Sequence, residues 1–382
     1  MKVKVILTVI TFFYFYHLIW FLLSLSLSRR ATLKESNAKN RFAILFPAYN
    51  EEGVIKASIA SVKQCYYPKN LFDLYVIADN CTDRTAQLAR QAGAIVLERQ
   101  DPQKGKQHAL KWAFNVIDLE KYDAVVILDA DNRVNPNFLN ALDRELQKGH
   151  QVVQGYLETL NPSDSWVSSN YAYMFWYLCR LNMVRSKLGL SSWLGGTGFC
   201  ISTSVLKKVG WNVDTLTDDV EYTCQLILKG EKVKFAPDAV VYDQKPRTLD
   251  ISARQRVRWI RGQTQVIAKY LPRLVFYGLK AWARGDIRGA LQALDAVMWV
   301  PMHLIILTSV LISLAFSGWK YILGVLIYSP AIYVLPMVAE KVKNVRSWAY
   351  LITAGLFFFT WLPVTAYGVV TSGNKTWWRT PH

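Results

Sequence analysis

The sequence predicts an α/β domain with a mostly parallel sheet, flanked by segments long and apolar enough to cross a bilayer. Between residues 41 and 262, short apolar runs typical of strands alternate with stretches of helical periodicity. This alternation is typical of a parallel sheet covered by helices. Four segments contain no Asp, Glu, Lys or Arg, and each is about as long as the ~20 residues that span a bilayer: 5–28, 296–319, 321–339 and 347–374.

The elements of the α/β domain follow one another as strand, polar turn and helix. The predicted strands are RFAILFPAYN, LFDLYVIADN, AIVLER and YDAVVILDADN, and the predicted helices between them are EEGVIKASIASVKQ, TDRTAQLARQAG and KGKQHALKWAFNVI. Ligands of such sheets bind at the carboxyl ends of the strands. We therefore expect the polar clusters at residues 49–51, 79–80 and 129–131 to lie together there.

The apolar segments predict the membrane organisation. Residues 1–28 form an N-terminal transmembrane anchor, because the apolar stretch exceeds the ~7–15 residues of a signal peptide and is followed directly by two arginines. Residues 263–290 mix aromatic and basic residues, which is typical of a helix in the membrane interface. Residues 291–374 contain two spans and a third hydrophobic segment. The third segment either spans the membrane or is broken into interfacial pieces at Pro363, which falls in its middle.

Charge indicates the partner and the orientation of the chain. The net charge of +17 is compatible with nucleic acid or with anionic membrane lipids. No helix-turn-helix, RNA-binding sheet motif or zinc finger accompanies it, so we expect lipids and no nucleic acid. The loop EKVKNVRS after the second C-terminal span carries three basic residues, which places it and the α/β domain in the cytoplasm.

The strongest chemical signal is VVILDADNRV, in which Asp129 and Asp131 end a predicted strand. Acids at strand ends are common, so this DxD motif is weak alone. Two converging carboxylates suit Mg²⁺ or Mn²⁺, which usually binds through one or two carboxylates and substrate phosphates. Such an ion neutralises a departing nucleoside diphosphate.

Three further signals each allow a structural interpretation. Asp79 ends a strand, although its turn also fits a helix N-terminus. Lys106 opens a helix, where a phosphate would be stabilised, although a solvated basic turn has the same composition. Asp218, Asp219 and Glu221 fall in the first turn of a helix capped by Thr217, where they favour the helix dipole or supply a general base.

The order of the segments PAYNEE, DNCTD, KGKQHAL, LDADN, TDD and QRVRW resembles family 2 glycosyltransferases over residues 41–263. It is most similar to their membrane-embedded branch, which includes cellulose, hyaluronan and poly-N-acetylglucosamine synthases. The resemblance implies a GT-A, Rossmann-like nucleotide-diphospho-sugar transferase domain. The chain departs from the pattern at Thr217-Asp218-Asp219, where the family usually has Thr-Glu-Asp. We align the base with Asp219, which leaves the supporting role of Asp218 open.

The resemblance also implies the donor site. The uridine pocket would be lined by Ala48, Tyr49, Glu51 and Asp79. Lys106 would lie near the diphosphate, and Asp129 and Asp131 would hold the nucleotide and the metal, with Asp131 nearest to the ion. Gln255 and Arg258 of the Q-x-x-R-W motif would stabilise the leaving diphosphate, because a guanidinium matches phosphate geometry.

On the acceptor side, the resemblance makes Asp219 the base that deprotonates the acceptor hydroxyl, which then attacks the anomeric carbon and inverts it. Gly196 and Thr197, within the segment GGTG, would shape the acceptor side, and Trp259 would stack on the acceptor sugar. The remaining arginines of RQRVRWIRGQ, including Arg256, would meet lipid headgroups.

Residues 375–382 resemble the W-x-x-T-x-R-like segment that covers the nucleotide in membrane synthases. Trp377 or Trp378 with Thr380 would match it, whereas His382 stands in place of the usual basic residue. This role requires a cytoplasmic tail, and therefore a last hydrophobic segment that does not span the membrane.

Together these observations predict an inverting, metal-dependent enzyme of the inner membrane that transfers a sugar from a UDP-sugar to a growing β-linked polysaccharide. The alternative acceptor is a membrane lipid, glycosylated without processive elongation. A membrane-anchored nucleotide-binding regulator is disfavoured, because Asp131 and Asp219 are both retained.

Overall fold

A computed structural model describes residues 2–27, 37–376 and 378. Within these residues the chain forms two compact units. The sheet unit comprises residues 37–160 and 191–244, and the helical unit comprises residues 2–27, 161–190, 245–376 and 378.

The sheet unit is built on one sheet with the strand order β3-β2-β1-β4-β7-β6-β8-β5. Its strands are β1 Phe42–Ala48, β2 Phe72–Asp79, β3 Ile95–Arg99, β4 Ala124–Ile127, β5 Arg133–Val134, β6 Val152–Thr159, β7 Phe199–Ser202 and β8 Val233–Asp243. Strands β3, β2, β1 and β4 pair in parallel, as do β6 and β8. Strand β7 is antiparallel to β4 and β6, and β5 is antiparallel to β8. The predicted mostly parallel sheet is confirmed, with antiparallel insertions.

The helices alternate with these strands and continue beyond them. They are α1 Lys2–Leu25, α2 Ile55–Lys63, α3 Thr85–Gln91, α4 Lys106–Val116, α5 Phe138–Gln147, α6 Trp166–Lys187, α7 Thr203–Val209, α8 Asp218–Leu228, α9 Leu249–Ala283, α10 Ile287–Trp299, α11 Met302–Ser317, α12 Trp319–Ala339, α13 Val345–Ala349 and α14 Ala354–Val370. Helices α2, α3, α4, α5, α7 and α8 belong to the sheet unit, and the other helices belong to the helical unit.

The core of the sheet unit fixes the ends of its central strands. Leu45 of β1 and Ile127 of β4 are fully buried and pack in one cluster with Leu110 of α4. Burying such a side chain stabilises the fold by about 1.5–3 kcal/mol. Beyond β1 and β2 the chain turns sharply at Asn50 and Asn80, with φ of 56° and 54°, a conformation that Asn adopts more readily than most residues.

The helical unit contains an element that the sequence did not predict. Helix α6 lies between strands β6 and β7 in the chain but belongs to the helical unit. Its start is stabilised by a capping box, in which the side chains of Ser165 and Ser168 bond each other's backbone N–H groups. Helix α9 is continuous over 35 residues. The helix predicted to begin at residue 263 therefore begins at Leu249, and the QRVRW segment lies on the same helix.

Two helical segments of the described residues are long and apolar enough to cross a membrane, Trp319–Ala339 and Val345–Val370. The pair α10 and α11 would make a third if it forms one span, although it bends by 50° at the break that contains Pro301. The predicted span at residues 296–319 is thus broken near its start at Pro301. Helix α14, by contrast, continues through Pro363.

Two buried arginines of α6 hold the helical unit together. Arg180 pairs with Glu340 at 2.7 Å, and its Nη2 donates to the carbonyl oxygens of Ser24 and Leu27. Arg185 pairs with Asp295 of α10 at 2.9 Å. Removing one partner of a buried ion pair typically costs about 3–5 kcal/mol. These contacts make α1 a packed part of the helical unit.

Candidate active site

The carboxyl ends of β1, β2 and β4 bring together the predicted donor residues of the sheet unit. Strands β1 and β2 run in parallel and in register up to the pair Ala48 and Ala78, so that Ala48 and Asp79 end neighbouring strands. Strand β4 pairs with β1 on its other side and leads into Asp129. The expected convergence of these three strand ends is found.

Asp79 is buried in an ion pair that the sequence did not indicate. Arg99, the last residue of β3, donates from Nη1 to Asp79 Oδ1 at 2.6 Å, and Asn80 Nδ2 donates to the same oxygen at 2.9 Å. Both members of the ion pair are buried. The turn before α3 is stabilised by Asp83 instead of Asp79. The Asp83 carboxylate accepts from the backbone N–H and the hydroxyl of Thr85. Asp79 is thereby fixed at the end of β2.

Tyr49 and Glu51 lie in the turn that follows β1. Glu51 is buried, and its backbone N–H donates to Thr85 Oγ1 at 2.7 Å. The ammonium group of Lys104 lies 5.6 Å from the centre of the Tyr49 ring. A basic side chain and an aromatic face therefore border this turn.

Lys106 joins the DxD turn to the glycine-rich loop. It is the first residue of α4, after Gly105 with φ of 125°. Its ammonium group donates to the Asp129 carboxylate and to the carbonyl oxygen of Gly196. Burial alone lowers the pKa of Lys106, but the carboxylates of Asp129, Asp218 and Asp219 outweigh it and raise the pKa above its usual value. The site therefore contains a positive charge held among carboxylates.

Asp131 is a buried carboxylate with a raised pKa. It is 7% exposed. Burial raises its pKa well above the usual range, and the negative charges of Asp243, Asp129 and Glu51 raise it further. A bound cation would relieve this cost, because an opposite charge within a few ångströms favours the ionised form.

The carboxylates fit one mode of metal binding. In the described part of the chain, no group of three or more His, Cys, Asp or Glu side chains is arranged to hold a metal ion. Magnesium-type ions usually need only one or two carboxylates, with water and substrate phosphates completing the shell. Asp129 and Asp131 fit this mode, in which the donor phosphates supply the remaining ligands.

The GGTG loop lies beside the candidate base. Gly196 has φ of 83°, and a side-chain carbon added there would lie 3.6 Å from Asp219 Oδ2. At Gly198, with φ of 67°, an added carbon would lie 2.6 Å from Val241 Cγ2, so glycine is required there for space as well as conformation. Thr197 is buried, and its Oγ1 accepts from the backbone N–H of Asp129 at 2.9 Å. The predicted acceptor loop is therefore tied to the DxD turn.

The three acids at the start of α8 separate into two roles. Glu221 is fully buried, and its Oε2 accepts from the backbone N–H groups of Asp214 and Thr215 at 2.9 and 2.8 Å. It therefore closes the preceding loop. Asp218 and Asp219 remain half-buried and act electrostatically on Lys106. Thr217 occupies the N-cap position, but its side chain makes no capping hydrogen bond, so the predicted cap is wrong in that respect.

Two neighbours of the DxD motif were missed by the sequence reasoning. Asp243 ends β8, and Asn132 Nδ2 donates to its Oδ1 at 3.3 Å and to Asp131 Oδ1 at 3.2 Å. The segment AVVYD ends in an acid after an apolar run, as the segments before Asp79 and Asp129 do. That pattern would have indicated Asp243.

Gln255, Arg258 and Trp259 lie on α9 in the helical unit, and all three are half-buried. The Trp259 ring packs edge-on against Tyr171 of α6, with ring centres 5.9 Å apart. One edge of the indole is thus held by the helical unit. The functional roles of these three residues remain predictions.

The expectation that Arg256 meets lipid headgroups is wrong. Arg256 is fully buried, and its guanidinium lies 4.8 Å from the ring centres of both Phe357 and Trp361. Its Nη1 donates to Thr360 Oγ1 at 2.8 Å. A planar guanidinium stacks on aromatic faces and carries little hydration, which explains why α14 accommodates it.

Only part of the predicted tail is described. Trp377, Thr380 and His382 lie outside the described residues. The Trp378 ring lies 5.4 Å from the guanidinium carbon of Arg254. Trp378 therefore lies beside the helix that carries the QRVRW segment.

Comparisons with known proteins identify the family. The profile of the family described as "Glycosyltransferase like family 2" matches residues 39–262, more than half of the 382 residues. The probable glycosyltransferase YdaM of Bacillus subtilis is 27% identical over 253 residues, which cover 63% of this chain and 59% of that protein.

Two further relatives act on different acceptors by name. The poly-β-1,6-N-acetyl-D-glucosamine synthase of Staphylococcus epidermidis is 23% identical, and the match covers 86% of this chain and 81% of that one. The β-monoglucosyldiacylglycerol synthase of Nostoc sp. is 28% identical, and the match covers 60% of this chain and 50% of that one. The chain thus spans 59% and 50% of the length of two of these three relatives.

Among solved structures, the mannosyltransferase PcManGT from Pyrobaculum calidifontis, in complex with GDP-Man and Mn²⁺, aligns with a TM-score of 0.56. Its sequence is 17% identical, and the alignment covers 96% of this chain and 97% of that one. This likeness, together with the mixed and mostly parallel sheet, shows the GT-A fold. The extent of the profile match shows that the protein belongs to glycosyltransferase family 2.

Proposed function

We propose that the protein is an inverting, metal-dependent glycosyltransferase that moves a sugar from a UDP-sugar to a β-linked polysaccharide growing at the membrane. One observation carries the proposal: Lys106 bonds both Asp129 and the Gly196 carbonyl, and Gly196 lies beside Asp219. One cluster therefore contains a positive charge for the diphosphate, a metal-binding carboxylate and a base. Each role needs the others within a few ångströms of the reacting bond.

The donor half of the cluster supports nucleotide binding. Asp79, fixed by Arg99, and the turn with Tyr49 and Glu51 would receive the nucleoside, and Lys106 would bind the diphosphate. UDP is our choice because the PAYNEE and DNCTD segments resemble the UDP-using synthases. PcManGT was solved with GDP-Man, so the nucleobase must be a variable in any test.

Asp129 and Asp131 would hold the metal. When bound, the ion supplies positive charge at the phosphates and stabilises the leaving diphosphate. Side chains of the protein supply the other roles in the reaction. Lys106 stays protonated among its carboxylate neighbours and neutralises the same phosphates.

Asp219 supplies the base. Its carboxylate accepts the proton of the acceptor hydroxyl while the hydroxyl oxygen forms a bond to the anomeric carbon. The bond from that carbon to the diphosphate oxygen breaks on the opposite face, and the nucleoside diphosphate leaves with the bonding pair. A single displacement of this kind inverts the configuration. General-base catalysis contributes about 10²–10⁴-fold to such steps.

A polysaccharide acceptor is favoured over a lipid by the extent of similarity. The match to the poly-N-acetylglucosamine synthase covers 86% of this chain and is therefore longer than the family region at 39–262, whereas the match to the glucosyldiacylglycerol synthase covers 60%. Identity is low in both, so a lipid acceptor remains the second candidate. Gln255, Arg258 and Trp259 keep the roles that the resemblance implies.

The membrane setting is part of the proposal. Two helices of spanning length indicate membrane association. Helix α9 also exposes Phe276, Leu279 and Trp282 next to basic residues such as Lys280, as an interfacial helix in contact with anionic lipid would. The positive-inside rule favours a cytoplasmic position for the basic loop at 341–346. In a multi-pass inner-membrane protein in which α10 and α11 together make one span, the sheet unit would lie on the same, cytoplasmic side.

The test is product formation by the purified protein in lipid vesicles. The protein is incubated with a panel of UDP- and GDP-sugars and with Mg²⁺, Mn²⁺ or EDTA, and nucleoside diphosphate release and product size are measured. We expect metal-dependent release from one UDP-sugar and a polymeric product. A product of one sugar on lipid would support the second candidate, and release of GDP alone would refute the choice of nucleotide. No release from any donor would overturn the proposed function.

A further inference from the structure

The side chain of Asn132 holds two carboxylates of the site apart. It is fully buried. Its Nδ2 donates to Asp131 Oδ1 at 3.2 Å and to Asp243 Oδ1 at 3.3 Å. An amide nitrogen has two hydrogens, and here each hydrogen serves one carboxylate. The NH₂ group is therefore the bridge between Asp131 and Asp243.

The other end of the same amide is also occupied. Asn132 Oδ1 accepts from the Thr197 hydroxyl and from the backbone N–H of Asp129 at 3.3 Å. A flipped amide would turn its oxygen toward both carboxylates and its NH₂ group toward two donors. The four partners thus fix one orientation, and the amide links the DxD turn to the GGTG loop.

The hydrogen bonds of Asn132 reduce the repulsion between the carboxylates of Asp131 and Asp243. Asp131 is buried, and Asp243 lies on the other side of the same Asn132 NH₂ group. Two carboxylates in a poorly hydrated site repel strongly unless donors or cations lie between them. An NH₂ group placed between them offers one hydrogen bond to each carboxylate without adding charge. Aspartate at position 132 would have the same shape but no such donor.

We propose that Asn132 is a positioning residue for metal binding: its amide holds Asp131 in the orientation that ligates the cation and shields it from Asp243. This inference rests on the proposed function, since it concerns the metal that the donor phosphates share. Asn132 acts through Asp131 and does not touch the reacting atoms. Through its hydrogen bond with the Thr197 hydroxyl, Asn132 also holds the GGTG loop, which borders Asp219.

The test measures binding of Mn²⁺ to the full-length protein in detergent, with saturating UDP, from the electron paramagnetic resonance signal of free Mn²⁺. Asn132→Ala should weaken Mn²⁺ affinity by about 10- to 100-fold, the usual effect of removing a partner of a ligating side chain. Asn132→Asp should weaken it at least as much, because a third carboxylate replaces the donor. UDP affinity in EDTA should stay unchanged in both variants.

A rescue separates positioning from simple damage to the fold. If Asn132 shields Asp131 from Asp243, the double variant Asn132→Ala, Asp243→Asn should recover most of the lost Mn²⁺ affinity, because the repelling charge is gone. The matched control is Asn140→Ala. Asn140 of α5 is also a buried amide, but its Nδ2 donates to the backbone oxygen of Tyr66. Its loss should leave Mn²⁺ affinity unchanged even where it lowers thermal stability.

The outcomes distinguish this inference from the proposed function. Absence of Mn²⁺ binding with UDP in the unaltered protein overturns both. Normal binding in the unaltered protein and in Asn132→Ala overturns the positioning role alone. Weakened Mn²⁺ binding in Asn132→Ala that Asp243→Asn does not rescue refutes the shielding. An equal loss of Mn²⁺ affinity in Asn140→Ala refutes it too. Weakened binding, rescue and a silent control together support the inference.

Discussion

Replacing Asp131 by Asn should stabilise the metal-free protein while abolishing metal-dependent turnover. Asp131 is 7% exposed and has a pKa raised first by burial and then by Asp243, Asp129 and Glu51. Ionised Asp131 therefore costs free energy in the folded state that it does not cost in the unfolded chain. Asparagine keeps the shape and removes the charge.

The pH dependence follows from the direction of the pKa shift. Because the pKa of Asp131 is higher in the folded state, the folded protein binds more protons than the unfolded chain between the two pKa values. Stability in EDTA therefore falls as pH rises through that interval, and the full cost is present above the folded pKa. The gain from Asn should vanish near pH 3–4, at about the usual pKa of an aspartate, and be greatest at neutral pH and above.

We expect a gain on the order of 1 kcal/mol at neutral pH, as is common when a strained functional residue is replaced. For units of about 150–250 residues this corresponds to a rise of ~2–4 °C in Tm. The assay is the apparent Tm of detergent-solubilised protein in EDTA, at one scan rate and several pH values. Addition of Mn²⁺ and UDP should stabilise only the unaltered protein. An Asn variant that is less stable than the unaltered protein at neutral pH would refute the electrostatic reasoning.

Three further predictions concern the base, its helix and the tail. Asp219→Asn should retain nucleotide binding and lose transfer by about 100-fold or more, whereas Asp218→Asn should lose less, because only Asp219 serves as base. Glu221→Gln should lower the free energy of unfolding by about 1–3 kcal/mol, since one carboxylate oxygen of Glu221 accepts both backbone N–H groups and a neutral amide oxygen is a weaker acceptor. A cysteine at Lys375, with the native cysteines removed, should resist an impermeant thiol reagent outside intact cells, because a tail that covers the nucleotide must be cytoplasmic.

Each of these has a distinct contrary result. Greater damage from Asp218→Asn than from Asp219→Asn would mean that the base is misaligned. An unchanged apparent Tm in Glu221→Gln would remove its role in closing the loop before α8. Ready labelling at position 375 would make the last hydrophobic segment a true span and exclude the lid, without touching the assignments of Asp131 and Asp219.

The donor side was predictable because its signals are local. A short apolar run followed by an acid indicated both a strand and the acid at its end for Asp79 and Asp129, and parallel pairing brings those ends together. The helix start at Lys106 was visible from its glycine and lysines in the same way. The sheet therefore followed from patterns of a dozen residues.

The contacts that were not predicted join residues far apart in the sequence. Asp243 reaches Asp131 only because β8 pairs in parallel with β6 and ends in register with Thr159, which no local pattern specifies. Arg256 appeared to suit lipid headgroups because Phe357 and Trp361 follow about a hundred residues later in the sequence. The arginines of α6 pair with Glu340 and Asp295, which follow more than a hundred residues later in the sequence, so no local pattern indicated these ion pairs.

The central claim is a single displacement at the cluster of Asp131 and Asp219, and the configuration of the new glycosidic bond tests it most directly. The purified protein is given the α-linked donor that it turns over, and the anomeric proton of the first product formed is recorded by NMR before any spontaneous equilibration. The account predicts a β-linked product that forms only with Mg²⁺ or Mn²⁺ and that Asp219→Asn does not make at a comparable rate. An α-linked product would contradict it, because retention requires either a second displacement or front-side attack, and neither uses Asp219 as proposed.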